Sequence, residues 1–141
     1  MLRHAEAEDG TPDAQRPLTS KGEAQSRAVG VALKALGIEL DACVSSPKVR
    51  ALDTARLVCE QLGVEVREDE RLAGGPFDPR EVADGLGDQV LLVGHEPDFS
   101  LALHRMTGAQ VRMRKANLAA VDRGELMVLL RPSDLQALAA G

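Results

Sequence analysis

A continuous apolar run, Val90-Leu91-Leu92-Val93, constrains the fold of this chain more than any other stretch. A strand with no polar face is typical of a parallel sheet that is covered on both sides. Shorter strand patterns occur at 42–44 and 64–66, and helical patterns that end at Gly37 and Gly63 precede them. This alternation predicts a three-layer α/β fold, with a mostly parallel central sheet and helices on both faces.

Further elements are predicted on either side of this run. Ser20-Lys21-Gly22-Glu23 has the form of a capping box and predicts a helix that extends to about residue 36. Its apolar residues predict the buried stripe of that helix: Ala24, Ala28, Val31, Ala32 and Ala35. Residues 116–121 and 126–130 predict a late β-hairpin, and residues 133–140 a closing helix. A length of 141 residues without a long linker predicts one domain over residues 1–141.

Charge and composition argue against several classes of partner. The net charge is −5 and only 1% of the residues are aromatic, so a nucleic acid is not expected as a ligand. No apolar run approaches the ~20 residues of a membrane helix, and residues 1–20 are too polar for a signal peptide. Cys43 and Cys59 form no CxxC pair and are expected as buried free thiols in a cytoplasmic setting.

Polar residues follow three of the predicted strands. Arg3 and His4 end the first strand, residues 45–46 end the second, and His95 follows the apolar run. Ligands of parallel sheets bind beyond the carboxyl ends of the strands, so these side chains are expected on one rim of the sheet. Arg50 lies about one turn into the helix after residues 45–46, from where it can point back to the same rim.

Arg3, His4, Arg50 and His95 are candidates for an oxyanion site. Guanidinium groups match phosphate oxygens in a bidentate manner, whereas they would repel a metal ion. Neighbouring positive charge lowers the pKa of a histidine, which then stays neutral and nucleophilic at pH 7. We therefore expect neither a metal nor a cofactor.

Four motifs together span most of the chain: Leu2-Arg3-His4-Ala5-Glu6-Ala7-Glu8, Arg16-Pro17-Leu18-Thr19, Ser45-Ser46-Pro47 followed by Arg50-Ala51 and Thr54-Ala55, and Val93-Gly94-His95-Glu96-Pro97. They resemble the motifs of the histidine phosphatase superfamily, whose fold is phosphoglycerate mutase-like. The match is closest to the small branch of SixA-type phosphohistidine phosphatases. An Arg-His pair alone is a weak signal, but four motifs in the right order are specific.

This resemblance implies a phosphatase that works through a covalent phosphohistidine. His4 would attack phosphorus, while Arg3, Arg50 and His95 would bind the phosphoryl oxygens. Water would then release inorganic phosphate from His4, without a metal. Arg16 either binds the phosphate as well or only orders its own loop, and the sequence leaves both alternatives open.

Two features depart from the family pattern. The family normally has several apolar residues before the Arg-His pair, but only Met1 and Leu2 precede it here, which leaves a very short first strand or an earlier start as alternatives. Larger members also carry a carboxylate that protonates the leaving group. No motif marks such an acid in this chain, and Glu70 and Asp78 are candidates by position only.

The missing acid motif bears on the substrate. An imidazole leaves with far less help than an alkoxide, so we expect phosphohistidine on a signal-transduction protein, either a phosphotransfer domain or a carrier protein. A broad small-molecule phosphomonoesterase and a non-catalytic module that binds phosphohistidine or phosphate are the alternatives.

The run Arg112-Met113-Arg114-Lys115 is expected as a solvated face, with the docking of an acidic partner as its alternative.

Overall fold

A computed structural model describes residues 1–141 and contains one six-stranded sheet. The strands are β1 Leu2–Arg3, β2 Ala42–Ser45, β3 Val66–Glu68, β4 Val90–Gly94, β5 Leu118–Asp122 and β6 Glu125–Leu130. Their order across the sheet is β3-β2-β4-β1-β5-β6. The first four in this order run parallel, whereas β5 is antiparallel to β1 and β6 is antiparallel to β5. The predicted mostly parallel sheet and the late hairpin are thus confirmed.

Five helices cover both faces of the sheet. They are α1 Ser20–Ala35, α2 Val49–Glu60, α3 Pro79–Ala83, α4 Asp98–Thr107 and α5 Pro132–Ala140, and short 3₁₀ turns lie at Asp13–Gln15 and Glu70–Leu72. One apolar cluster joins the sheet to α1, α2 and α5, and a second joins it to α3 and α4. The three-layer arrangement is therefore confirmed. None of the five helices is both long and apolar enough to cross a membrane.

The apolar run of β4 is buried because its side chains alternate between the two clusters. Leu91 and Val93 belong to the cluster under α1 and α2, whereas Leu92 belongs to the one under α4. All three are at most 3% exposed. Burying a side chain of this size contributes roughly 2 kcal/mol, so β4 anchors both layers at once.

Two local predictions for α1 are wrong. Its N-cap is Thr19 rather than Ser20, because the Thr19 Oγ1 accepts a hydrogen bond from the Gly22 N–H at 3.0 Å. Of the predicted stripe, only Ala32 is buried, and the buried face consists of Gly22, Gln25, Ser26, Val29, Gly30, Ala32 and Leu33. Small residues let the backbones approach closely here, since a Cβ on Gly30 would meet the Val58 carbonyl oxygen at 2.5 Å.

Candidate active site

The parallel strands β1 and β4 bring two histidines together. Arg3 lies opposite Gly94, so His4 and His95, each directly after its strand, are neighbours. The His4 backbone N–H donates to the Gly94 carbonyl at 3.0 Å, and the two ring centroids are 5.3 Å apart. A Cβ on Gly94 would meet the Phe99 ring at 2.7 Å, which explains why a glycine precedes His95. Both histidines are buried, at 4% and 7% exposure.

The tautomer of His4 follows from its hydrogen bond. Its Nδ1 lies 2.8 Å from the Ala5 carbonyl oxygen, which can only accept, so Nδ1 carries the proton and Nε2 keeps a lone pair. Burial is the largest cause that lowers the pKa of His4, to about 4, and the positive charges of Arg3, Arg50 and Lys115 lower it further. The Ala5 hydrogen bond opposes this shift. His4 is therefore neutral at pH 7 and has a free nucleophilic nitrogen.

The opposite tautomer is favoured at His95. Its Nε2 lies 2.8 Å from the Ser46 Oγ, which already accepts a hydrogen bond from the Lys48 backbone N–H at 3.2 Å. The Ser46 hydroxyl has no other acceptor, so its proton is donated to Nε2, which leaves the ring proton on Nδ1. Burial is the largest cause that lowers the pKa of His95, to about 3, and the charges of protonated His4, Arg50 and Lys48 lower it further. A neutral His95 thus presents an N–H donor on Nδ1.

Three buried donor atoms in this region have no acceptor. The Arg3 Nη1 donates to a backbone carbonyl at 3.2 Å, and the terminal nitrogens of Arg50 donate to Asp13 at 2.8 and 3.1 Å. The Nε atoms of both arginines and the Nδ1 of His95 remain unpaired. Each such donor costs about 1–3 kcal/mol unless a ligand satisfies it. Together with His4, these residues form the candidate site, and its three free N–H donors are groups that bind the oxygens of an oxyanion.

Thr54 connects α2 to the segment that carries His4. Its hydroxyl donates to the Arg50 carbonyl at 2.7 Å and accepts from the Ala5 backbone N–H at 3.1 Å. This bridge fixes the start of α2 against the end of β1, so the Arg50 side chain is held beside the imidazole. The Thr-Ala motif was a signal for Thr54 in the sequence, but its partners could not be read there.

Sequence reasoning missed Asp13. Its Oδ2 lies 3.1 Å from the Arg50 Nη2 and 3.7 Å from the Lys48 Nζ, and its Oδ1 lies 3.1 Å from the Arg16 Nη1. Hydrogen bonds from Arg16 and Arg50 hold the pKa of Asp13 below its ordinary value, so its carboxylate is ionised. Arg16 also donates through Nε to the Glu8 carbonyl at 2.7 Å. The contacts of Arg16 thus order the loop that places Asp13 on Arg50.

Neither carboxylate that was considered as a general acid is placed in the candidate site. Asp78 caps α3 by accepting from the Arg80 backbone N–H at 2.9 Å. It lines a separate depression of about 420 Å³ between α3 and α4, which no residue of the candidate site lines. Glu70 is exposed in the 3₁₀ turn after β3 and makes no side-chain hydrogen bond or ion pair. No group of three or more His, Cys, Asp or Glu side chains is arranged to hold a metal ion.

Comparisons with known proteins agree with this geometry. The family model of the histidine phosphatase superfamily (branch 1) matches residues 1–78. An uncharacterized protein of Picosynechococcus sp. is 30% identical over 138 residues, covering 88% of this chain and 84% of that protein. Together with the SixA-like folds described next, the family match supports phosphatase activity, a hydrolase function.

Two solved structures share the fold. The protein histidine phosphatase SixA complexed with tungstate has a TM-score of 0.81 at 21% identity, over 95% of this chain and 96% of that one. A structure assigned to the phosphohistidine phosphatase SixA of Nakamurella multipartitia is 31% identical, with a TM-score of 0.67 over 75% of this chain and 63% of that one. The chain therefore belongs to the histidine phosphatase superfamily and has a SixA-like fold.

Proposed function

We propose that this protein is a phosphohistidine phosphatase that removes the phosphoryl group from a histidine of a partner protein through a covalent intermediate on His4. One observation carries the proposal: a buried, neutral His4 with a free Nε2 lies beside three buried N–H donors that have no acceptor. A phosphoryl group satisfies all three donors and offers phosphorus to the nucleophile.

The first step transfers the phosphoryl group to His4. The free N–H groups of Arg3, Arg50 and His95 bind the phosphoryl oxygens, which holds phosphorus near the His4 Nε2. The Nε2 lone pair forms a bond to phosphorus while the P–N bond of the substrate breaks. The substrate ring, protonated on its other nitrogen, takes the electron pair of that bond and leaves as a neutral imidazole.

The second step is hydrolysis of the phosphorylated His4. A water oxygen forms a bond to phosphorus, the bond to Nε2 breaks, and its electron pair returns to the ring. Inorganic phosphate leaves and a proton passes to solvent. The Nδ1–H of His4 stays on the Ala5 carbonyl throughout, which keeps Nε2 as the reacting atom in both steps.

The choice of phosphohistidine over a phosphate ester is supported by the placement of carboxylates. Asp13 is the carboxylate that is ion-paired with Arg50, and its ion pairs keep it ionised, which makes it a poor proton donor. An alkoxide leaving group needs a proton from an acid, whereas a ring nitrogen with a pKa near ~6.5 does not. An aryl phosphate, whose leaving group also departs without an acid, is therefore the comparison substrate in the test.

The test compares two substrates and three enzymes. A histidine phosphotransfer domain, phosphorylated with phosphoramidate, and p-nitrophenyl phosphate are each hydrolysed by the wild type, by His4→Ala and by His104→Ala. His104 is a matched control because it is exposed on α4, away from the candidate site. We expect kcat/KM to be at least about 100-fold higher for the phosphoprotein, lost in His4→Ala and retained in His104→Ala.

Two results would contradict the proposal. Equal or faster hydrolysis of the aryl phosphate would indicate a broad phosphomonoesterase. Tight binding of inorganic phosphate by the wild type without turnover of either substrate would indicate a module that binds phosphate and does not cleave it.

A further inference from the structure

A basic groove adjoins the candidate site. It has a volume of about 450 Å³, and no hydrophobic residue lines it. Its charged lining residues are Arg3, Lys21, Arg114, Lys115, Arg131 and Glu6. Five cations and one carboxylate face this groove although the chain as a whole has a net charge of −5. The groove is therefore a positively charged region on a protein whose net charge is negative.

Three of these cations have no carboxylate within 4.0 Å: Arg3, which donates to the Met113 carbonyl, and the adjacent pair Arg114 and Lys115. Lys21 lies 3.6 Å from the Glu6 carboxylate, and Arg131 is paired with a neighbouring aspartate at 3.0 Å. Arg114 and Lys115 are exposed and have no carboxylate within 4.0 Å. The positive field of the groove therefore comes mainly from Arg3, which also belongs to the candidate site, and from this adjacent pair.

The turn that carries Arg114 and Lys115 is fixed in place. Met113 before it and Ala116 after it are both fully buried. Ala116 has a φ of +59°, a left-handed conformation that costs a non-glycine residue about 1 kcal/mol or more. Its N–H donates to the carbonyls of Arg3 and His4 at 3.2 and 3.1 Å. A strained turn is thus held against the catalytic strand, with its two cations pointing outwards.

The groove and the phosphate-binding donors are continuous. Arg3 lines the groove and also donates through Nη1 to the Met113 carbonyl, which ties the basic turn to the candidate site. The charge of Lys115 is among the causes that lower the pKa of His4. A substrate whose phosphoryl group lies at His4 therefore has its neighbouring atoms within reach of the basic turn.

We propose that this groove binds carboxylate side chains of the partner protein that flank its phosphohistidine, so that the enzyme selects acidic phosphoproteins. The inference rests on the proposed function, since it names a feature of the same substrate. Complementary charge raises the rate of productive encounter, and the negative charge of the rest of the chain disfavours other orientations of an acidic partner. The basic turn thereby acts in substrate selection rather than in the chemical step.

The test uses two phosphohistidine peptides with the same core. In one peptide four glutamates flank the phosphohistidine, and in the other four glutamines replace them. Hydrolysis is measured with the wild type, with Arg114→Gln/Lys115→Gln, and with Arg112→Gln as the matched control. Arg112 is an exposed cation of the same segment that does not line the groove. Phosphoramidate serves as a small substrate with no side chains that could extend from His4 to Arg114 and Lys115.

We expect the wild type to prefer the acidic peptide by about tenfold in kcat/KM, mainly through a lower KM, and the preference to weaken as salt is raised. The double variant should lose most of this preference and keep its activity on phosphoramidate, whereas Arg112→Gln should behave as the wild type. Equal kcat/KM for the two peptides, or the same loss in Arg112→Gln, would overturn the inference alone. If the wild type hydrolysed neither peptide nor phosphoramidate, the proposed function itself would be wrong, and the inference with it.

Discussion

The parallel and antiparallel halves of the sheet are built from similar residues but differ in what their ends carry. The parallel strands β1, β2 and β4 all end at one edge, and each is followed there by a polar residue of the site: His4, Ser46 and His95. The antiparallel strands β5 and β6 are joined by the turn Arg123-Gly124, whose residues have φ of +50° and +78°. Strand direction, rather than composition, therefore decides where the chemistry lies.

The two halves also differ in how they treat polar and apolar groups. Around the parallel strand ends, two histidine rings and Arg50 are buried, and three buried donor atoms of Arg3, Arg50 and His95 lack partners. In β6, Met127 and Val128 are 60% and 40% exposed. The first region gives up stability to hold a ready-made anion site, whereas the second serves to extend the sheet beside β1. Substitutions should separate these roles.

The largest effect is expected at Arg50. Arg50→Met should lower kcat/KM on a phosphohistidine substrate by about 10²–10³, because it removes both a donor to the phosphoryl group and a fixed positive charge at a buried position. Arg56→Met is a matched control on the same helix, since the Arg56 side chain is 60% exposed. Steady-state kinetics measure both variants. Comparable losses in the two would show that the effect comes from α2 in general and not from the site.

A pH effect on stability is expected next. The pKa is lowered to about 4 at His4 and to about 3 at His95 in the folded protein. An unfolded chain binds these protons below about pH 6.5, whereas the folded chain does not, so the free energy of unfolding falls as pH falls from 6.5 towards 4. The loss should reach about 3 kcal/mol for His4 alone.

Denaturant unfolding at pH 7 and pH 4.5 measures this loss. The double variant His4→Gln/His95→Gln is the control, because glutamine does not titrate. Its stability should depend on pH far less than that of the wild type over the same range. A wild-type stability that does not change between these pH values would contradict the placement of two neutral, buried imidazoles.

A smaller effect is expected at Ser46. Ser46→Ala removes the hydroxyl that bonds to the His95 Nε2 at 2.8 Å, so the ring is no longer held with its proton on Nδ1. We expect kcat to fall about tenfold with little change in KM and with a shifted pH profile. Ser46→Thr keeps the hydroxyl and should restore most of the activity. Failure of threonine to rescue, with an unchanged pH profile, would assign Ser46 a packing role only.

The smallest effect is expected in the hairpin. Met127→Ser exchanges a largely exposed side chain of β6, so we expect kcat/KM to stay within twofold and stability to change by about 0.5 kcal/mol or less. Kinetics and denaturant unfolding measure both quantities. A large loss of activity would mean that the hairpin takes part in the site and would break the contrast between the two halves.

The fold was predictable because strand and helix patterns alternate along the chain. In most of these segments the spacing of the apolar residues indicates which residues are buried. The buried face of α1 was not predictable. The helix α1 has alanines on all sides. Packing against α2 and α5 buries Gln25 and Ser26, while Ala24 and Ala35 stay exposed. Alanine carries too little apolar surface for its spacing to determine which face of a helix is buried.

The candidate site was only partly predictable. Strand ends and motifs indicated Arg3, His4, Arg50 and His95, and the structure places them together. The pairing of Asp13 with Arg50 could not be seen, since it depends on the path of an exposed loop. Likewise, the tautomer of His95 depends on its hydrogen bond to Ser46, which lies 49 residues away in the chain, so the sequence could not indicate it.

One measurement tests the central claim most directly. The wild type is mixed with a histidine phosphotransfer domain that has been phosphorylated with phosphoramidate, the reaction is quenched within milliseconds in alkali, and mass spectrometry locates the phosphate. The account predicts acid-labile phosphate on His4, absent in His4→Ala together with turnover. Turnover that persists in His4→Ala, or phosphate trapped on His95 instead, would contradict the assignment of His4 as the nucleophile.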